Sequence, residues 1–173
     1  IALTIMPFAL AAEGFRVATL HAELTRKGPG LLMRDIAKGK DDQLRALKSI
    51  VEHVQADVLL LTKVDFDLEN RTARAVQEYL GFAYSFALAP NSMRQSKLDL
   101  DGDGRTGDRQ TWARFAGEGA MLLLSQHPIE PRFHLHDLLW KDVANTVMPT
   151  RENGAPFPSE AAQDVQLLVG QGL

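Results

Sequence analysis

The chain has 173 residues, of which 45% are hydrophobic and 24% are charged, and its formal net charge is -3. This composition predicts one soluble domain with enough apolar side chains for a core, and it excludes collagen, coiled-coil and disordered classes. The absence of cysteine excludes disulfides, cysteine-based zinc sites and a cysteine nucleophile. Because nucleic-acid binding depends on basic surfaces that neutralise phosphates, no duplex nucleic acid is expected as a partner.

Residues 1–14 form a leader-like apolar segment in which the small residues Ala9 and Ala11 flank Leu10. This pattern is typical of the hydrophobic region and cleavage site of a secretory signal. The run is too short to span a membrane, so membrane contact is expected only through residues 1–12. Two interpretations stay open, a signal remnant docked on a partner or an edge strand of the domain. The first predicts a periplasmic or secreted protein.

The first half of the chain predicts alternating strands and helices. Residues 15–20 alternate as in a strand, and a Gly- and Lys-rich loop is expected over residues 27–40. Asp41 and Asp42 then open a helix that is expected to end near Gln55, with its apolar residues on one face. A strand over 58–61 follows. This order of elements indicates the α/β class.

A second helix is expected to follow, capped by Asn70 and ended by Gly81 in the left-handed conformation. Further strands are predicted over residues 82–88, 119–125 and 133–136, and a final helix from Ser159. Residues 90–118 form a long polar, Asp-rich loop between two of these strands. Loops of that length in a compact domain are usually functional or disordered.

Several motifs in this order resemble the N-terminal half of the endonuclease/exonuclease/phosphatase superfamily, in a bacterial and probably exported subgroup with an Asp-rich loop. The matching segments are RVAT at 16–19, GPGLL at 28–32, ADVLLL at 56–61, LDLDGDGRTG at 98–107, GAMLLLSQHPI at 119–129 and LWKD at 139–142. The resemblance implies one truncated domain over 15–173, a mixed α/β (α+β) fold forming half of a four-layered β-sandwich with flanking helices. It also implies a hydrolase fold whose family cleaves phosphoesters with Mg²⁺.

Two metal-site positions depart from the family pattern. His21 stands where the family has Asn, and Lys63 stands where it has the metal-binding Glu. An ammonium group repels Mg²⁺, which prefers oxygen ligands, and an imidazole suits softer metals. No catalytic residue is therefore expected to be intact, and Mg²⁺ is not expected. Either His21 and Lys63 have drifted at a dead site, or they form an anion site that holds a phosphate.

Carboxylates remain near this degenerate site. Glu23, Asp65 and Asp67 follow the two strands closely in the sequence. Carboxylates after a strand are more often solvated loop residues than metal ligands, and that interpretation is preferred for these three.

The Asp-rich loop contains an intact D-x-D-x-D-G motif, in which Gly104 allows the sharp bend of a Ca²⁺-binding loop. The predicted metal ligands are Asp99, Asp101, Asp103, the backbone carbonyl of Arg105, and Asp108. Because Gln110 stands where the usual bidentate Glu belongs, only modest Ca²⁺ affinity is expected. The alternative is a solvated acidic turn without a metal.

Half of a sandwich would leave one apolar sheet face without its facing sheet. That face is predicted to contain Val17, Leu59, Leu61, Met121 and Leu123. Such a surface marks an interface, so either the chain's own ends or a protein partner must cover it. The sequence therefore favours a pseudoenzyme, a non-catalytic binding or assembly subunit with a calcium-binding loop. The alternative is a metal-dependent phosphoesterase, a nuclease or phosphatase, of which this chain is an N-terminal fragment.

Overall fold

The computed structural model describes residues 14–93, 95, 99, 101–109, 112–132, 138, 142–150 and 152–154. Its elements in chain order are β1 (Val17–Leu24), α1 (Leu31–Lys38), α2 (Asp42–Val54), β2 (Val58–Val64), α3 (Arg71–Leu80), β3 (Tyr84–Ala87) and β4 (Ala120–Ser125). The leader-like residues 1–13, the strand predicted at 133–136 and the helix predicted from Ser159 lie outside the described residues.

The four strands form one mixed sheet in the order β1-β2-β4-β3. Strand β1 runs parallel to β2, while β4 runs antiparallel to both β2 and β3. A parallel pair needs a crossover connection, and α1 with α2 supplies it between β1 and β2. The mixed α/β fold predicted from the sequence is confirmed.

One face of the sheet carries the core. Leu59 and Leu61 on β2 are 4% and 0% exposed, and they pack with Leu122 and Leu124 of β4 and with apolar residues of the helices. Strand side chains alternate between faces, so the neighbours of these residues point the other way. The predicted interface face was therefore wrong in part, because Leu59 and Leu61 belong to the helix-covered core.

The opposite side of the sheet is termed the second face, and it is less buried. Its hydrophobic residues include Val17, Val58, Leu60, Met121, Leu123 and Phe86, and the strand register places the polar residues Thr19, His21, Thr62 and Ser125 on the same face. Val17 is 67% exposed, and the other five of these hydrophobic residues are half-buried. The second face thus keeps three members of the predicted set, Val17, Met121 and Leu123.

Helix α1 lies within the segment that the sequence predicted to be a loop. Gly30 and Gly39 flank it, both in the left-handed conformation. Short helices are marginal alone and take their stability from packing. Leu32 is fully buried in the core and Ile36 packs against it. These tertiary contacts stabilise α1, although the glycines on either side of it favour a loop when the sequence is considered alone.

The helix ends show one prediction confirmed and one wrong. Asp41 caps α2, since its Oδ1 accepts a hydrogen bond from the amide of Leu44 at 2.9 Å. Asn70 makes no side-chain cap bond to α3. Asp67 caps that helix instead, accepting hydrogen bonds from the amides of Arg71 at 2.9 Å and Thr72 at 2.7 Å. A carboxylate suits this place because the N-terminal end of a helix carries partial positive charge.

Candidate functional site

The ends of β1 and β2 are irregular near His21 and Lys63. The register shifts between His21 and Leu24 on β1 and between Leu61 and Val64 on β2. Within these bulges Glu23 has φ 49° and Lys63 has φ 60°. A left-handed conformation costs a non-glycine residue roughly 1–2 kcal/mol. Bulges of this kind are common beside active sites, where they redirect side chains.

His21 is already hydrogen bonded through both ring nitrogens. Nδ1 lies 2.8 Å from Oγ1 of Thr62, and Nε2 lies 2.6 Å from Oε1 of Glu23. The Glu23 carboxylate beside the ring repels anions. In the described part of the chain no hydrogen bond or ion pair joins His21 to Lys63, and the anion site that the sequence suggested for this pair stays a prediction.

Lys63 lies instead over the start of β4. A Cβ built on Gly119 would lie 3.5 Å from Cδ of Lys63 and 3.8 Å from its Nζ. Glu118 is held by Arg114, whose amide and Nε donate to its carboxylate at 2.6 Å and 2.8 Å. These hydrogen bonds lower the pKa of Glu118, and the charge of Lys63 lowers it further. The Lys63 ammonium therefore faces a carboxylate that is ionised at neutral pH.

Asp65 is buried at the end of β2, which overturns its interpretation as a solvated loop residue. The side chain is only 3% exposed. Its Oδ2 accepts a hydrogen bond from the amide of Arg26 at 2.9 Å. Burial raises the pKa of Asp65 to about 6, and the nearby charge of Glu118 also raises it. The position after β2 is therefore part of the protein interior.

Arg26 links the loop after β1 to both neighbouring helices, a role that nothing in the sequence indicated. Its Nε donates to Asp35 at 3.0 Å, and its terminal nitrogens donate to Asp41 at 3.2 Å and to Gln43 at 3.2 Å. The side chain is 15% exposed. Partly buried, multiply bonded guanidinium groups fix geometry well because their donors form a rigid fork.

We expect Arg26→Lys to lower the free energy of unfolding by about 2 kcal/mol, because lysine keeps the charge and loses the fork. Urea unfolding measures the change. Arg34→Lys is the matched control, since Arg34 pairs with the same Asp35 from a side chain that is 53% exposed. That variant should lose less than about 1 kcal/mol, as exposed ion pairs do. Equal losses in both variants would contradict the assignment of Arg26 as a structural link.

The Asp-rich loop brings three of its predicted ligands together. One carboxylate oxygen from each of Asp99, Asp101 and Asp108 lies within 4.8 Å of the other two. Asp103 is outside this group, and its Oδ1 accepts a hydrogen bond from the amide of Arg105 at 2.8 Å. The three grouped carboxylates could hold a metal ion.

Backbone amides of the loop orient these carboxylates. Asp99 accepts hydrogen bonds from the amides of Gly102 at 2.6 Å and Gly104 at 2.9 Å. Both glycines have φ 86°, a conformation that other residues rarely adopt. The bend predicted at Gly104 is therefore present, and it turns the loop back upon Asp99. The amide of Asp101 also donates to Asp108 at 3.2 Å, which joins two members of the group.

Across the described ranges this is the single group of three or more potential ligand residues whose atoms converge so closely. Comparison with known proteins adds nothing to it, because no family model, no curated protein and no solved structure matches this chain. No helix within the described ranges has the length and hydrophobicity needed to cross a bilayer. Fold and site together define an α/β domain with a candidate metal loop.

Proposed function

We propose that this chain is a non-catalytic binding or assembly subunit whose Asp-rich loop binds Ca²⁺, on a scaffold similar to the endonuclease/exonuclease/phosphatase superfamily. The observation that carries the proposal is the convergence of Asp99, Asp101 and Asp108 within 4.8 Å. These residues belong to the motif that was identified for calcium in the sequence.

The ligand chemistry favours Ca²⁺ over the other common metals. All three side chains are carboxylates, which are hard oxygen ligands and suit Ca²⁺ or Mg²⁺ better than zinc or copper. Mg²⁺ demands near-ideal octahedral geometry, whereas Ca²⁺ tolerates six to eight ligands in flexible arrangements. An exposed loop with several glycines provides a flexible coordination geometry of the kind that Ca²⁺ tolerates. Carbonyl oxygens, such as that of Arg105, and water would complete the coordination.

The non-catalytic part of the proposal is supported by Lys63. Its side chain packs along Gly119 at the strand ends and faces Glu118. A fixed cation there opposes a divalent cation electrostatically. His21 is bonded on both ring nitrogens and offers no free ligand atom. Neither residue of the degenerate pair is therefore arranged to bind Mg²⁺.

The binding role is supported by the second face of the sheet. Six residues of this face are hydrophobic, and Val17 at one edge is 67% exposed. Apolar surface of this kind is what protein interfaces bury at their centres. We infer a protein partner for this face, in the periplasm or outside the cell, where free Ca²⁺ at about 10⁻⁴–10⁻³ M suits loops of modest affinity.

Calcium titration by isothermal calorimetry tests the metal assignment. We expect one Ca²⁺ per chain with a Kd of about 10⁻⁴–10⁻³ M. Asp101→Asn should weaken binding by about tenfold, which corresponds to about 1.4 kcal/mol for a lost anionic ligand. Asp103→Asn is the matched control, because Asp103 lies in the same motif but outside the group of three. It should change the Kd less than about threefold.

Three results would contradict parts of the proposal. Equal weakening by both variants would show that the loop binds through the sequence motif as a whole rather than through the group of three. Absence of Ca²⁺ binding in the wild type would favour the alternative interpretation of the loop as a solvated acidic turn. Hydrolysis of a generic phosphodiester in Mg²⁺ or Mn²⁺ by the purified chain would contradict the non-catalytic role and favour the phosphoesterase alternative.

A further inference from the structure

A small cavity lies behind the strand ends, enclosed between the end of β2, the loop to α3, and strands β3 and β4. Its volume is about 10 Å³. Asp65 and Asn70 both line it, together with apolar residues that include Ala73 and Leu122. None of the residues that line the cavity belongs to the Asp-rich loop, so the two features are distinct.

Asp65 contributes a buried acceptor to this cavity. Its Oδ2 is satisfied by the amide of Arg26, but its Oδ1 has no hydrogen-bond donor among the described residues. The side chain is 97% buried, as its exposed fraction is 3%. Leaving such an oxygen unsatisfied costs about 1–3 kcal/mol, and more for a charged group.

Asn70 contributes a second buried acceptor. It precedes α3, where an Asn side chain would normally cap the helix, but Asp67 performs that role. The residue has φ 53° and ψ 28°, and its buried Oδ1 has no donor in the described part of the protein. Two residues that each carry a buried, unpaired acceptor oxygen therefore line the same cavity.

We propose that this cavity is a binding site for one internal water molecule, which donates one hydrogen bond to Asp65 Oδ1 and the other to Asn70 Oδ1. A water molecule has two donors, and it fits a cavity of roughly 10–15 Å³. Buried waters satisfy polar groups that the chain leaves unpaired. The bound water ties the end of β2 to the start of α3, directly behind the bulge that presents Lys63.

Two alternatives, a bound cation and a direct bond between the two side chains, fit the cavity less well. A divalent cation needs six or more oxygen ligands, and most of the lining residues are apolar. A direct bond between the two oxygens would require a proton on Asp65, and at neutral pH a carboxyl with a pKa of about 6 is mostly ionised. A water molecule satisfies both acceptors with Asp65 ionised.

A crystal structure of the wild-type protein at neutral pH, at a resolution that shows ordered water, tests the proposal. We expect one peak within about 2.6–3.2 Å of both oxygens. A peak surrounded by five or more oxygens at metal distances of about 2.0–2.6 Å would overturn it in favour of a cation. Hydrogen-bond contact between the two side chains, with no peak between them, would overturn it in favour of a direct bond, donated by a protonated Asp65 or by the amide nitrogen of Asn70.

A solution experiment reports on the same water. Oxygen-17 relaxation dispersion counts water molecules with long residence times, and Asn70→Gly removes one of the two acceptors while tolerating the left-handed backbone. We expect the amplitude to fall by the equivalent of one water molecule. Ser92→Ala is the control, because Ser92 Oγ is also buried without a donor in the described structure but does not line the cavity. An unchanged amplitude in Asn70→Gly, or an equal fall in both variants, would overturn the proposal.

Discussion

The Gly117→Ala variant is expected to lose about 3 kcal/mol of unfolding free energy, the largest effect predicted for a single methyl group in this protein. A Cβ at this position would overlap the carbonyl oxygen of Phe66 and lie 3.3 Å from its carbonyl carbon. The backbone cannot move aside easily, because Phe66 donates a hydrogen bond to the Gly117 carbonyl at 2.8 Å. Gly117 also has φ 101°, where an alanine is strained.

Thermal or urea unfolding measures this loss, and for a chain of this size it corresponds to a fall in Tm of roughly 6–12 °C. Gly39→Ala is the matched control. Gly39 has φ 64° at the end of α1, but an added Cβ would meet no atom within 4 Å. The control should lose only about 1 kcal/mol from backbone strain. Similar losses in both variants would show that the contact with Phe66 yields and that strain alone decides the effect.

The Asp65→Asn variant is expected to be more stable than the wild type at pH 7 and equally stable near pH 4. The folded pKa of Asp65 is about 6, raised chiefly by burial, whereas an unfolded Asp titrates near 3.9. Between these two values the folded protein binds more protons than the unfolded chain, so unfolding free energy falls as the pH rises. The wild type should therefore lose about 2 kcal/mol between pH 4 and pH 7 at this residue.

Asparagine keeps the shape and the acceptor for the Arg26 amide but carries no charge. The difference in unfolding free energy between variant and wild type should therefore grow by about 2 kcal/mol from pH 4 to pH 7. Urea unfolding at a series of pH values measures it. A difference that stays constant with pH would contradict the burial of an ionised carboxylate at this position.

Asp67→Asn provides the control of opposite sign. Burial opposes ionisation of Asp67, but hydrogen bonds from Thr72, Arg71 and Glu69 outweigh it and lower the pKa of this carboxyl. Its ionised form therefore stabilises the fold above about pH 4, and that stabilisation is lost as the pH falls below the unfolded value. The variant should be less stable than the wild type at pH 7, so carboxylates two positions apart should respond to pH in opposite directions.

The sequence predicted those elements whose local pattern agrees with their tertiary role. Asp41 before an amphipathic run predicted α2 and its cap, and the apolar run from Val58 predicted β2. Gly104 in the D-x-D-x-D-G motif predicted the bend of the Asp-rich loop. In each case the residues that fix the backbone are neighbours in the chain, so their effect is visible without knowledge of the fold.

The remaining features depend on contacts between residues far apart in sequence. Arg26 and Asp65 are 39 residues apart, and only folding brings the amide of one to the carboxylate of the other. The bulges at Glu23 and Lys63 arise from pairing register, which alternation in a single strand does not reveal. Val17 pairs with Val58, and Leu123 pairs with Leu60, so Leu59 and Leu61 lie on the opposite face from the one predicted.

The bulge in β2 has a consequence for how this protein can evolve. Regular alternation would turn residue 63 toward the helices, in line with Leu59 and Leu61. Because of the extra residue in the bulge, Val64 points inward instead and is 1% exposed, while Lys63 lies on the surface. Exchanging lysine and glutamate there leaves hydrophobic packing untouched. The charge of the side chain at residue 63 is thus open to change by selection separate from that which maintains the core.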